Sequence, residues 1–344
     1  MHNFYSDTQT RPTRAMREAV LEAELGDEQR DADPTTNALC ARMAALLGKE
    51  AAVFLPSGTM CNEIAIAVHC RPGDEVICER SSHILGYEAG GPAALSGVMM
   101  HALDGERGMM TPEQVAGAIR PRNRYAPISR LFCAEQTANL AGGAVWPVEQ
   151  LSAAAAVARE AGLATHMDGA RLLNAVVASG RPAAEHAAGF DSVWVDFTKG
   201  LGCPVGAVLA GSAAFIEAAW RLKQRWGGAM RQSGVLAAMA LHALDHHVDR
   251  LAEDHALAHS IGERLAALPG IARVLPVDSN IVILDLAETA PDAATLVARL
   301  LEAGIAVGAF GARRIRIVTH LDTDPEGGDA LVRAFETLTA AHAA

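Results

Sequence analysis

The sequence predicts an α/β protein: a large domain built on a mainly parallel sheet, residues 1–240, then a smaller α+β domain, residues 241–344. Three observations predict it. Short apolar runs alternate with amphipathic or alanine-rich stretches, as in strands joined by crossover helices. The pattern changes after about residue 233, where a long helical region leads into short strands and two helices. With 344 residues, 50% of them hydrophobic and 20% charged, the chain is long enough for two domains of ordinary size and a large buried core.

Residues 51–55 read as a strand that ends at Pro56-Ser57-Gly58-Thr59, and residues 60–69 continue as a helix with Thr59 able to cap it. Residues 75–78 and 130–134 are strands. Between them residues 112–119 form a helix, with Thr111 as N-cap, Pro112 at the first helical position and Gln114 closing a capping box. A helix over 148–161 precedes a strand over 163–167, which closes on Asp168-Gly169-Ala170-Arg171. A strand over 192–197 is followed by Thr198-Lys199-Gly200, and 205–210 is another. Residues 235–267 form a long helical region with a kink. Strands follow at 273–275, 280–286, 305–307 and 315–318, with helices over 292–303 and 329–342.

Composition narrows the function. Against 40 Asp and Glu stand 29 Lys and Arg, a net charge of −11. That balance argues against nucleic-acid or anionic-membrane partners and leaves room for an anionic ligand in one basic pocket. Residues 1–7 have no basic head or apolar core of an export signal. The uncharged stretch 200–216 is short and broken by Pro204, so no membrane span is expected. Six scattered cysteines without a CxxC pair read as reduced thiols of a cytoplasmic protein. GxxxxGK[ST], GxSxG and HExxH are absent, and Gly200-Leu201-Gly202 with Gly206 is not GxGxxG. His242 with His246 and His255 with His259 have helical i,i+4 spacing but no acidic cluster of convincing geometry beside them. They read as solvated helix faces, and no metal is expected.

Three segments carry chemistry. Leu55-Pro56-Ser57-Gly58-Thr59 joins a strand to a helix, whose N-terminus offers free N–H groups and a positive dipole end to a phosphate. Asp168 follows a central strand, where α/β sheets face their ligands. Lys199 follows the next strand, and partial desolvation there would favour its nucleophilic free amine. Singly, these are a helix cap, a loop ion pair with Arg171 and a surface lysine. Together they suit pyridoxal phosphate (PLP). The lysine holds it as a Schiff base, the aspartate keeps its pyridine nitrogen protonated, and the helix N-terminus binds its phosphate.

Further motifs stand in order along the chain. They are Tyr5-Ser6-Asp7-Thr8-Gln9-Thr10-Arg11-Pro12, Asp33-Pro34-Thr35-Thr36-Asn37, Ser82-His83 and Glu88-Ala89-Gly90-Gly91, then His166 to Arg171, Lys199-Gly200-Leu201-Gly202, Met230-Arg231-Gln232-Ser233-Gly234 and Arg316-Ile317-Val318-Thr319-His320. On these residues the chain resembles the PLP-dependent L-threonine aldolases of the β-eliminating lyase superfamily over nearly its whole length. The resemblance implies the aspartate aminotransferase-like fold with a seven-stranded sheet. It implies cleavage of an L-β-hydroxy-α-amino acid to glycine and an aldehyde, and a homodimer or homotetramer with the site at an interface. Lys199 would carry PLP and Asp168 would pair with its ring nitrogen. His83 would stack on the ring and take the β-hydroxyl proton, directly or through water. Gly58, Thr59 and Arg231 would hold the phosphate. Ser6, Arg171 and Arg316 would hold the substrate carboxylate, with Arg171 also near the ring's phenolic oxygen. Two other readings are a lyase acting by β-elimination and a catalytically silent binding protein. Intact Lys199 and Asp168 speak against the silent one.

Some positions depart from the family's pattern. Arg30 stands in the acidic loop where relatives carry Tyr, and would admit a more polar side chain near a neighbouring subunit's site. Tyr125 falls where some relatives place a second active-site His. Ala138 replaces a His in the Glu-Asn-Thr-His-Asn motif, here Glu135-Gln136-Thr137-Ala138-Asn139. Arg30 and Tyr125 are therefore expected to touch the substrate and alter its selection.

Overall fold

The computed structural model describes residues 1–340. A seven-stranded sheet forms the centre of the large lobe. Its strands follow a two-residue first strand, β1 (His2–Asn3), and are β2 (Ala51–Leu55), β3 (Glu75–Glu79), β4 (Met99–Leu103), β5 (Ser129–Glu135), β6 (Ala164–Gly169), β7 (Ser192–Asp196) and β8 (Ala207–Gly211). The spatial order is β2-β8-β7-β6-β5-β3-β4. All pairs from β7 to β4 are parallel, and β8 runs against both of its neighbours. Strands covered by helices on both faces are near-continuously apolar, and β7, Ser-Val-Trp-Val-Asp, is buried at every residue. Phe132, Trp146 and Phe197 are among the largest fully buried side chains. Each contributes roughly 1.5–3 kcal/mol by leaving water.

The small lobe carries β9 (Ile271–Val274), β10 (Ile281–Leu286), β11 (Ile305–Ala306), β12 (Gly308–Ala309) and β13 (Arg314–Val318). Four of them form an antiparallel sheet in the order β12-β13-β10-β9, and β11 pairs in parallel with β1. The chain's first strand thus belongs in space with its last third, and Phe4 lies fully buried in the small lobe's core. The region expected to be one kinked helix is two, Gly234–His246 and Leu251–Ala266. The first packs on the helix Pro34–Leu47 of the large lobe and the second on the helix Pro325–Ala340. The second also packs on the helix Leu172–Ser179 of the large lobe, and its Leu251 belongs to the large lobe's core, so this helix touches both lobes. The last two residues of the helix expected over 329–342 lie outside the described residues.

The Thr111–Gln114 capping box forms as expected. The cap of the helix Gly58–His69 does not: Ser57 Oγ accepts from the Met60 N–H at 3.2 Å, so the helix starts before Thr59. β4 was not expected. Met-Met-His-Ala-Leu lacks an alternating pattern because this edge strand is only partly covered. Among the described residues no helix is long and apolar enough to cross a membrane.

Candidate active site

Parallel strands present their carboxyl ends at one edge of the sheet, and ligands bind there. β5, β6 and β7 bring Glu135, Asp168 and Asp196 to that edge, with Glu135 opposite Asp168 and Asp168 opposite Trp194. Asp196 shapes the turn that bears Lys199. Its Oδ1 accepts from the Thr198 N–H and hydroxyl at 2.9 and 2.8 Å, and its Oδ2 accepts from Lys199 Nζ at 2.5 Å. The Thr10 hydroxyl donates to the Lys199 carbonyl at 2.8 Å. The amine stands 5.7 Å from the centre of the Trp194 ring.

Asp168 is 3% exposed. Its Oδ2 accepts from Asn62 Nδ2 at 2.9 Å and its Oδ1 from the Ala170 N–H at 3.0 Å. Asn62 is fixed from its other end, where Oδ1 accepts from Trp194 Nε1 at 2.7 Å and from His166 Nε2 at 3.1 Å. Burial, helped by the nearby His69, pushes His166 down to about 3. The ring is therefore neutral, its proton sits on Nε2, and Nδ1 accepts from Ser192 Oγ at 2.8 Å.

His83 is held at two points. Its backbone N–H donates to Glu135 Oε2 at 2.8 Å, and its Nδ1 lies 2.8 Å from Glu88 Oε1. The same Glu88 oxygen accepts from Asn62 Nδ2 at 2.7 Å. Burial opposes the charged ring, but the bond to Glu88 and the charges of Asp168, Glu88 and Glu135 outweigh it and raise the imidazole pKa above 6.5. With Nδ1–H on Glu88, Nε2 is the nitrogen left for the cleft. The donor atoms of His83, Glu88 and Asp168 lie within 4.8 Å of one another, as in a cation site. Here Asn62 donates to both carboxylates, and the cluster is knit by hydrogen bonds. Burial, then the charge of Asp168, pushes Glu135 up to about 7, against the pull of the Asn139 and His83 N–H groups.

The opposite wall comes from the N-terminal segment and β13. Arg316 is 7% exposed, lies 5.4 Å from the Phe310 ring and forms no ion pair among the described residues. Its Nε is buried without a partner. Burial and the neighbouring Arg171 push it down to about 10. Ser6 Oγ accepts from the Thr8 N–H and hydroxyl at 3.2 and 2.9 Å, which leaves its own proton to donate. The cleft, of ≈ 270 Å³, is lined by Ser6, His83, Tyr87, Arg171, Lys199 and Arg316, among others.

Residues 3–289 match the family described as β-eliminating lyase. The chain is 42% identical over 321 residues to low-specificity L-threonine aldolase 1 of Arabidopsis thaliana, covering 92% of this chain and 90% of that protein. It is 40% identical over 327 residues to the low specificity L-threonine aldolase of Escherichia coli K12, covering 95% and 96%. The chain belongs to the β-eliminating lyase family, among its low-specificity L-threonine aldolases. In fold it is similar to the threonine aldolase of Leishmania major, with a TM-score of 0.85 at 22% identity over 98% of this chain and 100% of that one. It is also similar to a serine palmitoyltransferase from Sphingomonas wittichii, with a TM-score of 0.77 at 19% identity over 99% and 88%. The expected aspartate aminotransferase-like architecture is thereby met.

Of the residues singled out on the family's pattern, Lys199, His83, Ser6, Arg171 and Arg316 line one cleft, and Asp168 is tied to it through Asn62. Gly58 stands close behind, because a Cβ on it would sit 2.2 Å from the Trp194 ring that also faces Lys199. Thr59 is exposed in the first turn of the same helix. Four of the singled-out residues stand apart from the expected contacts within this single chain. Arg171 does not offer a free fork, since its Nε and Nη2 each bond Asp7 at 2.7 Å. Tyr125 is 96% exposed on a surface loop held by Asn123, and does not line the cleft. Arg30 and Arg231 are exposed beside one another's loops, Arg231 pairing with Asp27 at 3.1 Å, also off the cleft. Of the histidine pairs, His242 and His246 lie with tilted rings 4.4 Å apart, while His255 bonds Asn174 and His259 pairs with Glu263. Asn62, Asp7, Tyr87 and Phe310 had no assigned role in the sequence reading. The polar pair Asn62-Glu63 inside an otherwise apolar helix, with Ile-Ala-Ile-Ala following it, was the one signal for Asn62.

Proposed function

We propose that the chain is a PLP-dependent aldehyde-lyase that cleaves an L-β-hydroxy-α-amino acid of the threonine type to glycine and an aldehyde. One observation carries the reading. A lysine amine and a buried carboxylate leave adjacent strand ends beside a cleft whose far wall holds a buried, unpaired guanidinium. These residues fit PLP with an amino acid on it. Lys199 would hold its aldehyde carbon, Asp168 its pyridine nitrogen, and the helix start at Gly58 and Thr59 its phosphate; Arg231, off this chain's own cleft, would reach a phosphate only in the site of a second copy. Bound there, PLP supplies an electron sink for the charge that develops at the substrate's α-carbon.

The chain's own residues do the rest. Arg316, with the Ser6 hydroxyl, binds the α-carboxylate, and Phe310 beneath the guanidinium limits its water contacts. Holding that carboxylate fixes which bond at the α-carbon stands across the ring. Arg171 stiffens the wall through Asp7 and keeps one nitrogen toward the cleft. His83 Nε2 takes the β-hydroxyl proton, directly or through one water, and Glu88 stabilises the charge on the ring. Asp196 positions the Lys199 amine.

Arg30 and Arg231, exposed on neighbouring loops, suit a face turned to a second copy of the chain, and we read the active form as a cytoplasmic homodimer or homotetramer. Sedimentation of the purified protein distinguishes the two. The reaction is tested by supplying PLP with threonine, allo-threonine, phenylserine and hydroxyaspartate isomers and quantifying glycine. Glycine from at least one is expected. Ammonia and a keto acid without glycine would mean elimination instead and overturn the aldolase reading.

A further inference from the structure

Behind His83 lies a carboxyl group that the reaction above does not use. Glu63, in the helix Gly58–His69, is 3% exposed, and neither of its side-chain oxygens has a hydrogen-bond partner. It is walled in by the backbone of Gly91, where an added Cβ would lie 1.9 Å from Glu63 Oε1. The group facing it is Glu88: Gly91, which touches Glu63, donates its N–H to the Glu88 carbonyl, and Asn62, the neighbour of Glu63 on its helix, donates to Glu88 Oε1. Glu88 spends Oε1 on His83 and Asn62, and its Oε2 is buried without a partner. Two orphaned carboxyl groups thus meet in a space closed to water.

Two carboxylates in contact and buried do not both ionise; one keeps a proton and gives it to the other. The position of each partner decides which. Glu88 already accepts from an imidazole N–H and an amide N–H, both of which favour its anionic form. Glu63 has no donor and no cation beside it. The charged groups in reach of this pair are His83 and Asp168, both on the Glu88 side.

We propose that Glu63 is a positioning residue, protonated at neutral pH, that donates its hydroxyl proton to Glu88 Oε2 and thereby sets the protonation of His83. With Glu63 neutral, Glu88 is fully hydrogen-bonded, pinned against Nδ1 of His83, and its charge is shared. Loss of the Glu63 proton places a second negative charge behind the imidazole and strengthens the ring's hold on its own proton. Burial first, and then the charge of Glu88, push Glu63 up to about 8, so this exchange falls just above neutral pH.

The proposal rests on His83 being the proton-handling group of the cleft, and its test needs no turnover, so it can fail while the aldolase reading stands. Infrared spectra of the PLP-loaded protein are recorded from pH 5 to 10 with 13C-carboxyl-labelled glutamate. A protonated carboxyl band is expected to survive at pH 7, to fade with a midpoint near 8, and to be missing from Glu63→Gln. Glu135, which burial also raises, supplies an internal control that persists in the variant. NMR of 13C-labelled histidine is expected to show His83 titrating in two steps in the parent and one in Glu63→Gln. If the variant fails to fold, the parent spectra decide alone. A single protonated-carboxyl band in the parent, that of Glu135 with a midpoint near 7, or a one-step His83 titration in the parent, overturns the proposal.

Discussion

Arg171 grips Asp7 with two nitrogens, Nε and Nη2, each 2.7 Å from a carboxylate oxygen, and neither side chain sees solvent beyond 4%. Asn280 adds a third contact to the same carboxylate at 3.1 Å. The pair joins the N-terminal segment, the strand end that carries Asp168 and the small lobe. Burial alone would raise the Asp7 pKa, but the Arg171 guanidinium, with Lys199 and Arg316 behind it, holds it well below its ordinary 3.8. Stability from this pair is present above that value and lost as pH falls below it. Removing one partner of a buried pair costs roughly 3–5 kcal/mol. Asp7→Ala is therefore expected to lower the urea midpoint at pH 7, and to lose less of its remaining stability than the parent when pH is taken below 4.

His83→Gln keeps a hydrogen bond to Glu88 and removes the Nε2 base. General-base catalysis is worth roughly 10²–10⁴-fold. A fall in kcat within that range is expected with β-hydroxy amino acids, with KM nearly unchanged. Equal kcat values for the two proteins would remove His83 from the proton transfer.

Arg316→Lys retains the charge and loses the planar fork. Hydrogen bonds to charged groups contribute about 1.5–3 kcal/mol. Steady-state kinetics should show KM for the amino acid higher by roughly 10–100-fold, with a smaller change in kcat. A KM within twofold of the parent would place the carboxylate elsewhere.

Gly58→Ala introduces a Cβ 2.2 Å from the Trp194 ring, in a packed layer. Overpacking of this kind costs roughly 1–3 kcal/mol. A lower Tm and weaker PLP retention on dialysis are both expected, because the same ring faces Lys199 and bonds Asn62.

Lys199 and Asp168 were legible in the sequence because each directly follows an apolar strand, and a parallel sheet sends all such exits to one edge. The order of strand, turn and helix around Gly58 was legible for the same reason. What closes the site was not. Asp7 and Arg171 meet across 164 positions, and Glu63, Glu88 and Asn62 meet by folding alone. Charged residues on helices ordinarily face water, so a buried Glu63 left no mark in the hydropathy pattern. Arg171 read as a substrate fork because a sequence shows a guanidinium but not the carboxylate that already occupies it. Tyr125 was placed by its position in a family pattern, and the exposed loop it sits on carries it away from its own chain's cleft.

The pairing of β1 with β11 has a consequence for biosynthesis. Phe4 shares one hydrophobic core with Ile305, Ile317 and Phe335, residues that the ribosome adds long after it. Until those residues are made, that aromatic ring lacks its native core. A bulky insertion beside Phe4 would therefore burden the maturation of a sheet far from it along the sequence.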